Sequence, residues 1–377
     1  MIALLIVLCA VAALGQLAGL LVLRVNFRDT PTLDDEPALA DGPSVLVVVP
    51  ARNEETNIAA CLEALSKSIH KRLIIRVVDD GSTDRTSELA HAVAARDPRI
   101  EIIRGVELPP GWMGKNHALW VGTRGATADY LLFVDADVRV GPECISRAVA
   151  AAERHRADLV TVMPRLLALG FWELAAQTQI AQLILGWLPA RQINDPGHPR
   201  AQGIGPFMFF RRSAYEAIGG HESVRGEVVE DMRIAERLKH AGLRLLYMRG
   251  VNHVEVRMYD SLASLVRGYT KNFHEPMKNA LWLAPILAAF HLVIFAGPYL
   301  LLPLALATHS PTAIVLSAAA LAFSLLSRLD AHLRWRLTPR HPYLAPLGAL
   351  IVAHILLSAA LHTALHRPVL WKGRQVS

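Results

Sequence analysis

The chain has 377 residues, 53% of them hydrophobic and 19% charged, with three cysteines and a formal net charge of +6. It is more apolar than a typical soluble enzyme, and the length leaves room for one sizeable domain beside several membrane helices. The basic residues flank apolar stretches or fall between Arg328 and Arg340; with no zinc-finger pattern and no basic stripe interleaved with aromatics, they read as membrane-surface and topology signals and argue against nucleic acid as a partner.

Ile2 to Leu23 carries no formal charge and is long enough to cross a bilayer. Arg24 and Arg28 follow it and no basic side chain precedes it, which is not the pattern of a cleavable signal. The positive-inside rule therefore predicts Met1 outside and the next domain in the cytosol. Residues 24–43, rich in Pro, Asp and Glu from Asp29 onward, read as a linker. Cys9, Cys61 and Cys144 show neither metal-ligand spacing nor a disulfide framework.

Ser44 to Pro50 is the first core strand, followed by Ala51-Arg52-Asn53-Glu54-Glu55 and by Ile58, Leu62 and Leu65 at helical spacing, with Asn53 as the expected N-cap. The second strand, Leu73 to Val78, ends in Asp79-Asp80-Gly81-Ser82-Thr83-Asp84, where Gly81 permits a tight turn and Ser82 or Thr83 can cap the next helix. Ile100 to Ile103 leads into Pro109-Pro110-Gly111-Trp112-Met113-Gly114-Lys115. Leu131 to Val134 runs into Asp135-Ala136-Asp137. This alternation predicts an α/β fold with a parallel, doubly wound sheet. No GxGxxG follows the first strand, so it is not the usual dinucleotide fold. Carboxylates stand instead at the ends of the second and fourth strands, where ligands of open sheets gather. They can accept from a nucleotide's base or ribose, and a hard divalent cation can use Asp135 and Asp137 while keeping positions for phosphate oxygens. Taken alone, Asp135-Ala136-Asp137 reads better as an acidic turn after a strand.

Gln202-Gly203-Ile204-Gly205-Pro206 precedes an apolar run, and Glu230-Asp231 opens a helix with Met232, Ala235 and Leu238 on one face. The segment from Gly170 to Pro189 reads as a helix buried in the domain or as part of a lipid entrance. Residues 44–275 thus form the predicted domain. Apolar stretches at Ala280 to Ala307, Thr312 to Leu326 and Tyr343 to Leu365 make residues 276–366 a membrane region of two or three crossings, with a basic tail at 367–377. A third crossing would leave Arg367, Lys372 and Arg374 outside, against the charge rule, unless one stretch lies in the interface.

The order Pro50-Ala51-Arg52-Asn53-Glu54, Asp79 to Asp84, Asp135-Ala136-Asp137 and Glu230-Asp231 resembles the family 2 inverting glycosyltransferases of GT-A fold, over residues 44–275. Gly111 to Lys115 and Trp371-Lys372-Gly373-Arg374 are similar to the membrane-bound branch that glycosylates lipids, including hopanoid-associated and carotenoid-type enzymes. The resemblance implies a nucleotide sugar, expected to be a UDP-sugar, as donor, a membrane lipid hydroxyl as acceptor and Mg or Mn as cofactor. It makes Asp137 a metal ligand and gives Asp135 the metal or the ribose. Asp79 or Asp80 would read the base, with Pro50, Ala51 and Glu54 in the first nucleotide-contacting loop. Lys115 would hold the diphosphate, Asp231 would be the general base beside Glu230, and Gly203 and Gly205 would line the acceptor and donor-sugar wall. Arg267 and Lys271 stand where processive members carry Gln-x-x-Arg-Trp and would bind diphosphate; the absence of that pattern implies one sugar per acceptor. The implied location is a multi-pass inner-membrane protein with a cytosolic catalytic domain. Transfer to a polyprenyl phosphate, or a non-catalytic membrane scaffold, are the competing readings.

Overall fold

The computed structural model describes residues 1–277, 281–337, 341–365, 370–371 and 374–375. In chain order the elements begin with α1 (Ile2–Asp29), β1 (Val45–Ala51), α2 (Ile58–Ser66), β2 (Leu73–Asp79), α3 (Thr86–Ala94), β3 (Ile100–Arg104), α4 (Gly114–Thr123) and β4 (Tyr130–Phe133). They continue with β5 (Val138–Val140), α5 (Cys144–Arg154), β6 (Leu159–Met163), β7 (Arg165–Leu166), α6 (Phe171–Trp187), α7 (Ala190–Asn194), β8 (Met208–Arg211) and α8 (Arg212–Ala217). The last are α9 (Glu230–His240), β9 (Leu245–Arg249), β10 (Val254–Val256), α10 (Leu262–Met277), α11 (Leu283–Phe295), α12 (Gly297–Ala307), α13 (Pro311–Trp335) and α14 (Ala345–Ala364).

Two units divide the chain. The α/β unit holds Asp29–Arg165 and Pro189–Arg257, and the helical unit holds Met1–Arg28, Leu166–Leu188 and the described residues of Met258–Ser377. The segment predicted as a helix within the domain, α6, therefore groups with the terminal helices. Its composition explains this: apolar residues occur all round it, which suits a helix covered on every side.

In the α/β unit a seven-stranded sheet has the order β3-β2-β1-β4-β8-β6-β9. β1 runs parallel to β2 and β4, β2 to β3, and β6 to β9. The wholly parallel sheet expected from sequence needs correction, because β8 is antiparallel to both β4 and β6. The β8 register explains its use. Met208, its first residue, pairs Phe133, the last of β4, so the loop before β8 lies at the sheet end where β1, β2 and β4 finish. Val47, Val48, Val49, Leu132, Phe209 and Phe210 are fully buried along the central strands, each contributing roughly 1.5–3 kcal/mol by leaving water. On one face α4 comes close enough that a Cβ at Gly122 would lie 2.3 Å from Val48 Cγ1. The stretch read as a linker is packed: residues 24–29 continue α1, and Leu33 and Glu36 are buried.

In the helical unit α1 and α13 lie side by side and parallel. Leu5 and Cys9 pack with Ala313, Ala12 and Ala13 with Ala320, Arg24 Nε sits 3.1 Å from Asp330 Oδ1, and Phe27 meets Trp335 edge-on at 5.8 Å. The second apolar stretch is not short, for the helix runs on from Leu326 to Trp335. Arg24 and Arg334, the latter 2.9 Å from Asp330 Oδ1, offset the Asp330 carboxylate in this extension. The expected basic loop is accordingly helical up to Trp335, and residues 338–340 lie outside the described residues. The first stretch is two helices, α11 and α12, bent by 64°. Pro298 in the first turn of α12 and Pro303 inside it weaken the hydrogen-bond ladder there. α1, α13 and the helix Pro342–Ala364 are each long and apolar enough to cross a membrane. Of the expected Trp371-Lys372-Gly373-Arg374 motif, Lys372 and Gly373 lie outside the described residues, as does Arg367.

Candidate active site

Two loops leave the sheet at the ends of β1 and β2, and polar side chains fasten them together. Ala51 pairs Asp79 in the ladder, and Asp80 N donates to Ala51 O at 2.8 Å. Arg52 Nη1 donates to Asp80 O at 2.6 Å, Asn53 N to Ser82 Oγ at 3.1 Å, and Glu54 N to Thr86 Oγ1 at 2.7 Å. Asn53 is not the N-cap that its position suggested. It holds a left-handed backbone at φ 51° and accepts Thr83 N at 2.9 Å, joining the loops. Nor do Ser82 or Thr83 cap α3, since Asp84 Oδ1 takes the Thr86 N–H at 3.0 Å. Gly81 does make the turn, at φ +72°. Asp79 and Asp80 are both buried. Asp79 Oδ1 accepts Ser82 N at 2.9 Å, so this carboxylate already has turn work. The end of β3 presses on the pair, where a Cβ at Gly105 would lie 2.8 Å from Asp79 O.

Beyond Phe133 the chain leaves the strand. Val134 N still reaches Val48 O, but Val138 N closes a turn on Asp135 O, so Asp135 and Asp137 stand in a turn and not along a strand face. The side chains around this turn form a carboxylate-rich site. Lys115 Nζ, from the first turn of α4, lies 2.8 Å from Asp135 Oδ1 and 2.8 Å from Glu230 Oε1. Lys115 thus bridges the acidic turn to α9. Burial works against its charge, but Asp135 and Glu230 outweigh that and hold the ammonium well above its ordinary pKa. Its side chain is 36% exposed, so water screens part of this pairing. Burial raises the Asp135 pKa, opposed by Lys115, while Glu230 and Glu54 add to the rise.

Asp231 sits at the start of α9. Its Oδ2 accepts Gly205 N at 2.9 Å and its Oδ1 accepts Met232 N at 2.8 Å. Burial, then the neighbouring Glu230 charge, push its pKa up to about 6, with Lys115 and the two N–H groups opposing. The two glycines of the loop before β8 are here for close approach. A Cβ at Gly203 would lie 1.9 Å from Asp231 O, and one at Gly205 would lie 3.2 Å from Asp231 Oδ2 and 3.4 Å from Lys115 Nζ. They therefore wall Asp231 directly.

The structure gathers Lys115, Asp135, Gly203, Gly205, Glu230 and Asp231; Glu54 adds its charge at Asp135, and Asp137 stands in the same turn. Pro50, Ala51, Asp79 and Asp80 line the fastened loops. Arg267 and Lys271 lie on α10 of the helical unit. Among the described residues no three His, Cys, Asp or Glu side chains could together hold a metal ion. Two carboxylates of one turn suit a Mg or Mn ion that takes its other ligands from phosphate and water, so the donor set fits on those terms.

Asn116 escaped the sequence reading. Its Nδ2 donates to Val224 O at 2.8 Å, Glu227 O at 2.9 Å and Arg225 O at 3.2 Å, and Met113 N donates to Arg225 O at 2.7 Å. It ties the α4 start to the segment leading into Glu230. His221 is buried against Phe133 and lies 2.8 Å from Tyr215 Oη through Nδ1, and burial lowers its pKa to about 3. One signal did exist, a polar Asn inside an otherwise apolar helix face after Lys115.

Residues 46–219 match the model of glycosyl transferase family 2. The chain is 24% identical over 259 residues to a 4,4'-diaponeurosporenoate glycosyltransferase of Staphylococcus haemolyticus, covering 66% of this chain and 68% of that protein. It is 26% identical over 233 residues to the Staphylococcus aureus protein of the same name, covering 61% of this chain and 60% of that relative. Among solved structures, a mannosyltransferase from Pyrobaculum calidifontis in complex with GDP-mannose and Mn2+ superposes with TM-score 0.53 at 20% identity, over 96% of this chain and 99% of that one. The chain shares that GT-A fold.

Proposed function

We propose that this chain, whose residues 46–219 are a family 2 glycosyltransferase domain, moves one sugar from a nucleotide sugar to the hydroxyl of a membrane lipid with inversion. The observation that carries the reading is Asp231: a part-buried carboxylate, fixed by two backbone N–H groups, raised to about 6 and adjoining the Lys115 bridge. Such a group is a base poised near neutral pH. As the acceptor oxygen bonds to the sugar C1, its proton passes to Asp231 and the C1–O bond to the diphosphate breaks on the opposite face. One carboxylate suffices for this, whereas a covalent intermediate would need a nucleophile as well. A Mg or Mn ion, held by Asp137 and Asp135, would supply charge neutralisation to the leaving diphosphate. Lys115 keeps Asp135 and Glu230 in register and adds positive charge at the same place. Asp79 or Asp80, with Pro50, Ala51 and Glu54, receives the base and ribose, and UDP is the nucleotide we assign.

The parallel α1 and α13, both ending in arginines, support a multi-pass inner-membrane protein with its catalytic unit in the cytosol. A second reading comes from the staphylococcal relatives, whose name gives the acceptor as an -oate. A carboxylate acceptor, like a polyprenyl phosphate, is already anionic and needs no base. The deciding experiment incubates the purified full-length protein with labelled UDP-sugar, Mn2+ and a membrane lipid extract. An acid- and alkali-stable lipid glycoside is expected. An alkali-labile ester would favour a carboxyl acceptor, a product lost in mild acid would favour a phosphate, and absence of both transfer and Mn2+-dependent donor hydrolysis would leave the scaffold.

A further inference from the structure

Along one face of α6, Ala175, Gln179, Gln182 and Gly186 recur at helical spacing. Two amides are out of place there. The helix packs among Tyr259, Leu265, Ile351, Val352 and Ile355, yet Gln179 is fully buried and Gln182 is 6% exposed. Gln179 Nε2 lies 3.3 Å from Nε2 of the buried His291 on α11. Gln179 Oε1 and Gln182 Nε2 are buried with no hydrogen-bond partner. Native interiors rarely leave such atoms unmet, because each gives up water and receives nothing in return. Apolar side chains at both positions would fold at lower cost, so the amides need a reason beyond stability.

The surroundings fix the site. A Cβ at Gly348 of α14 would lie 2.6 Å from Gln179 Oε1 and 2.0 Å from Ala175 O, so α14 presses directly against this face. At the other end of the row a Cβ at Gly186 would meet nothing within 4 Å. The face is closed by a helix at Ala175 and open at Gly186.

We propose that Gln179, Gln182 and His291 recognise the hydroxyl of a lipid alcohol. A hydroxyl answers both orphan atoms at once: its O–H donates to Gln179 Oε1 and its oxygen accepts from Gln182 Nε2. A carboxylate or phosphate only accepts, and would set its charge against Gln179 Oε1. A hydrocarbon answers neither atom. The site lies wholly in the helical unit, and the proposal rests on the lipid-acceptor reading only in taking the ligand to be a substrate held before transfer, whose hydroxyl leaves these amides before it meets Asp231.

The test uses the full-length protein in lipid nanodiscs and a tritiated sterol alcohol with a diazirine on its hydrocarbon part. Labelling is expected on peptides from α6 or α11, and to fall about tenfold for the 3-deoxy analogue and for Gln179→Leu or Gln182→Leu, the loss of one hydrogen bond each. Gln182→Leu removes an orphan atom and should hold or raise Tm; Gln179→Leu also takes the partner from His291, so the Gln182 variant carries the comparison if the Gln179 variant is destabilised. Equal labelling by the deoxy analogue, which needs no variant, overturns the proposal, as does labelling unchanged by both substitutions or absent from α6 and α11. Titration of the wild-type protein with UDP-sugar is read separately: no donor binding sinks the proposed function and leaves the labelling result standing.

Discussion

Asp231 is held in a way that makes three measurements informative. Asp231→Asn keeps an oxygen for one of the two N–H groups, Gly205 N or Met232 N, turns an amide NH2 to the other, and cannot take a proton. We expect kcat to fall about 10²–10⁴-fold while nucleotide affinity, read by calorimetry, stays near wild type; an equal loss of affinity would move Asp231 from base to binding group. The same variant should show a flatter dependence of stability on pH than the wild type. A carboxyl whose folded pKa is raised, here to about 6 against an ordinary 3.8, loses stability as pH climbs through that interval, and Asn escapes the loss. In the wild type kcat/KM should rise with pH and level off above about 6, because the base works deprotonated. Lys115 lowers the Asp231 pKa, so Lys115→Met should carry the midpoint of that profile upward. A midpoint that stays or falls would show that the bridge does not couple to the base.

At the scale of elements, the antiparallel β8 is the part that matters most. It alone reverses the chain so that Gly203 and Gly205 arrive beside α9. Gly203→Ala would drive a methyl to 1.9 Å from Asp231 O, onto backbone that cannot swing aside. We expect a loss of about 1–3 kcal/mol in stability, seen in denaturant unfolding, with activity falling further than stability does; an active, equally stable variant would refute the close approach. Much of the sheet was legible from sequence, because buried runs such as Val45 to Val49 and Tyr130 to Phe133 end in acids and punctuating turns. The direction of β8 was not, since it depends on pairing with β4 and β6 far away in sequence. Asn53 misled for a related reason: a local capping preference lost to a bond with Thr83 thirty residues on. The carboxylates of the site were readable because their spacing follows strand ends. Asn116 was not, because its three carbonyl partners come from a distant loop.

For the whole molecule, the membrane reading makes a prediction about sidedness. α1 and α13 run in the same direction, so the turn at Thr308 to Ser310 lies at the Met1 end of the bundle. His309 is exposed there, and all three natural cysteines are buried. His309→Cys in intact cells should therefore react with a membrane-impermeant maleimide added from outside, against a low background. Reaction only after permeabilisation would invert the topology. The 64° bend between α11 and α12 acquires a definite meaning from the same geometry. If α1 delivers the chain to one face of the bilayer and α13 must set out from the other, the residues between them cross an odd number of times. α6 cannot supply the crossing, because β6 before it and β8 after it belong to one sheet. On that topology parity would make the bent pair a single broken passage through the membrane and not a loop that dips in and returns.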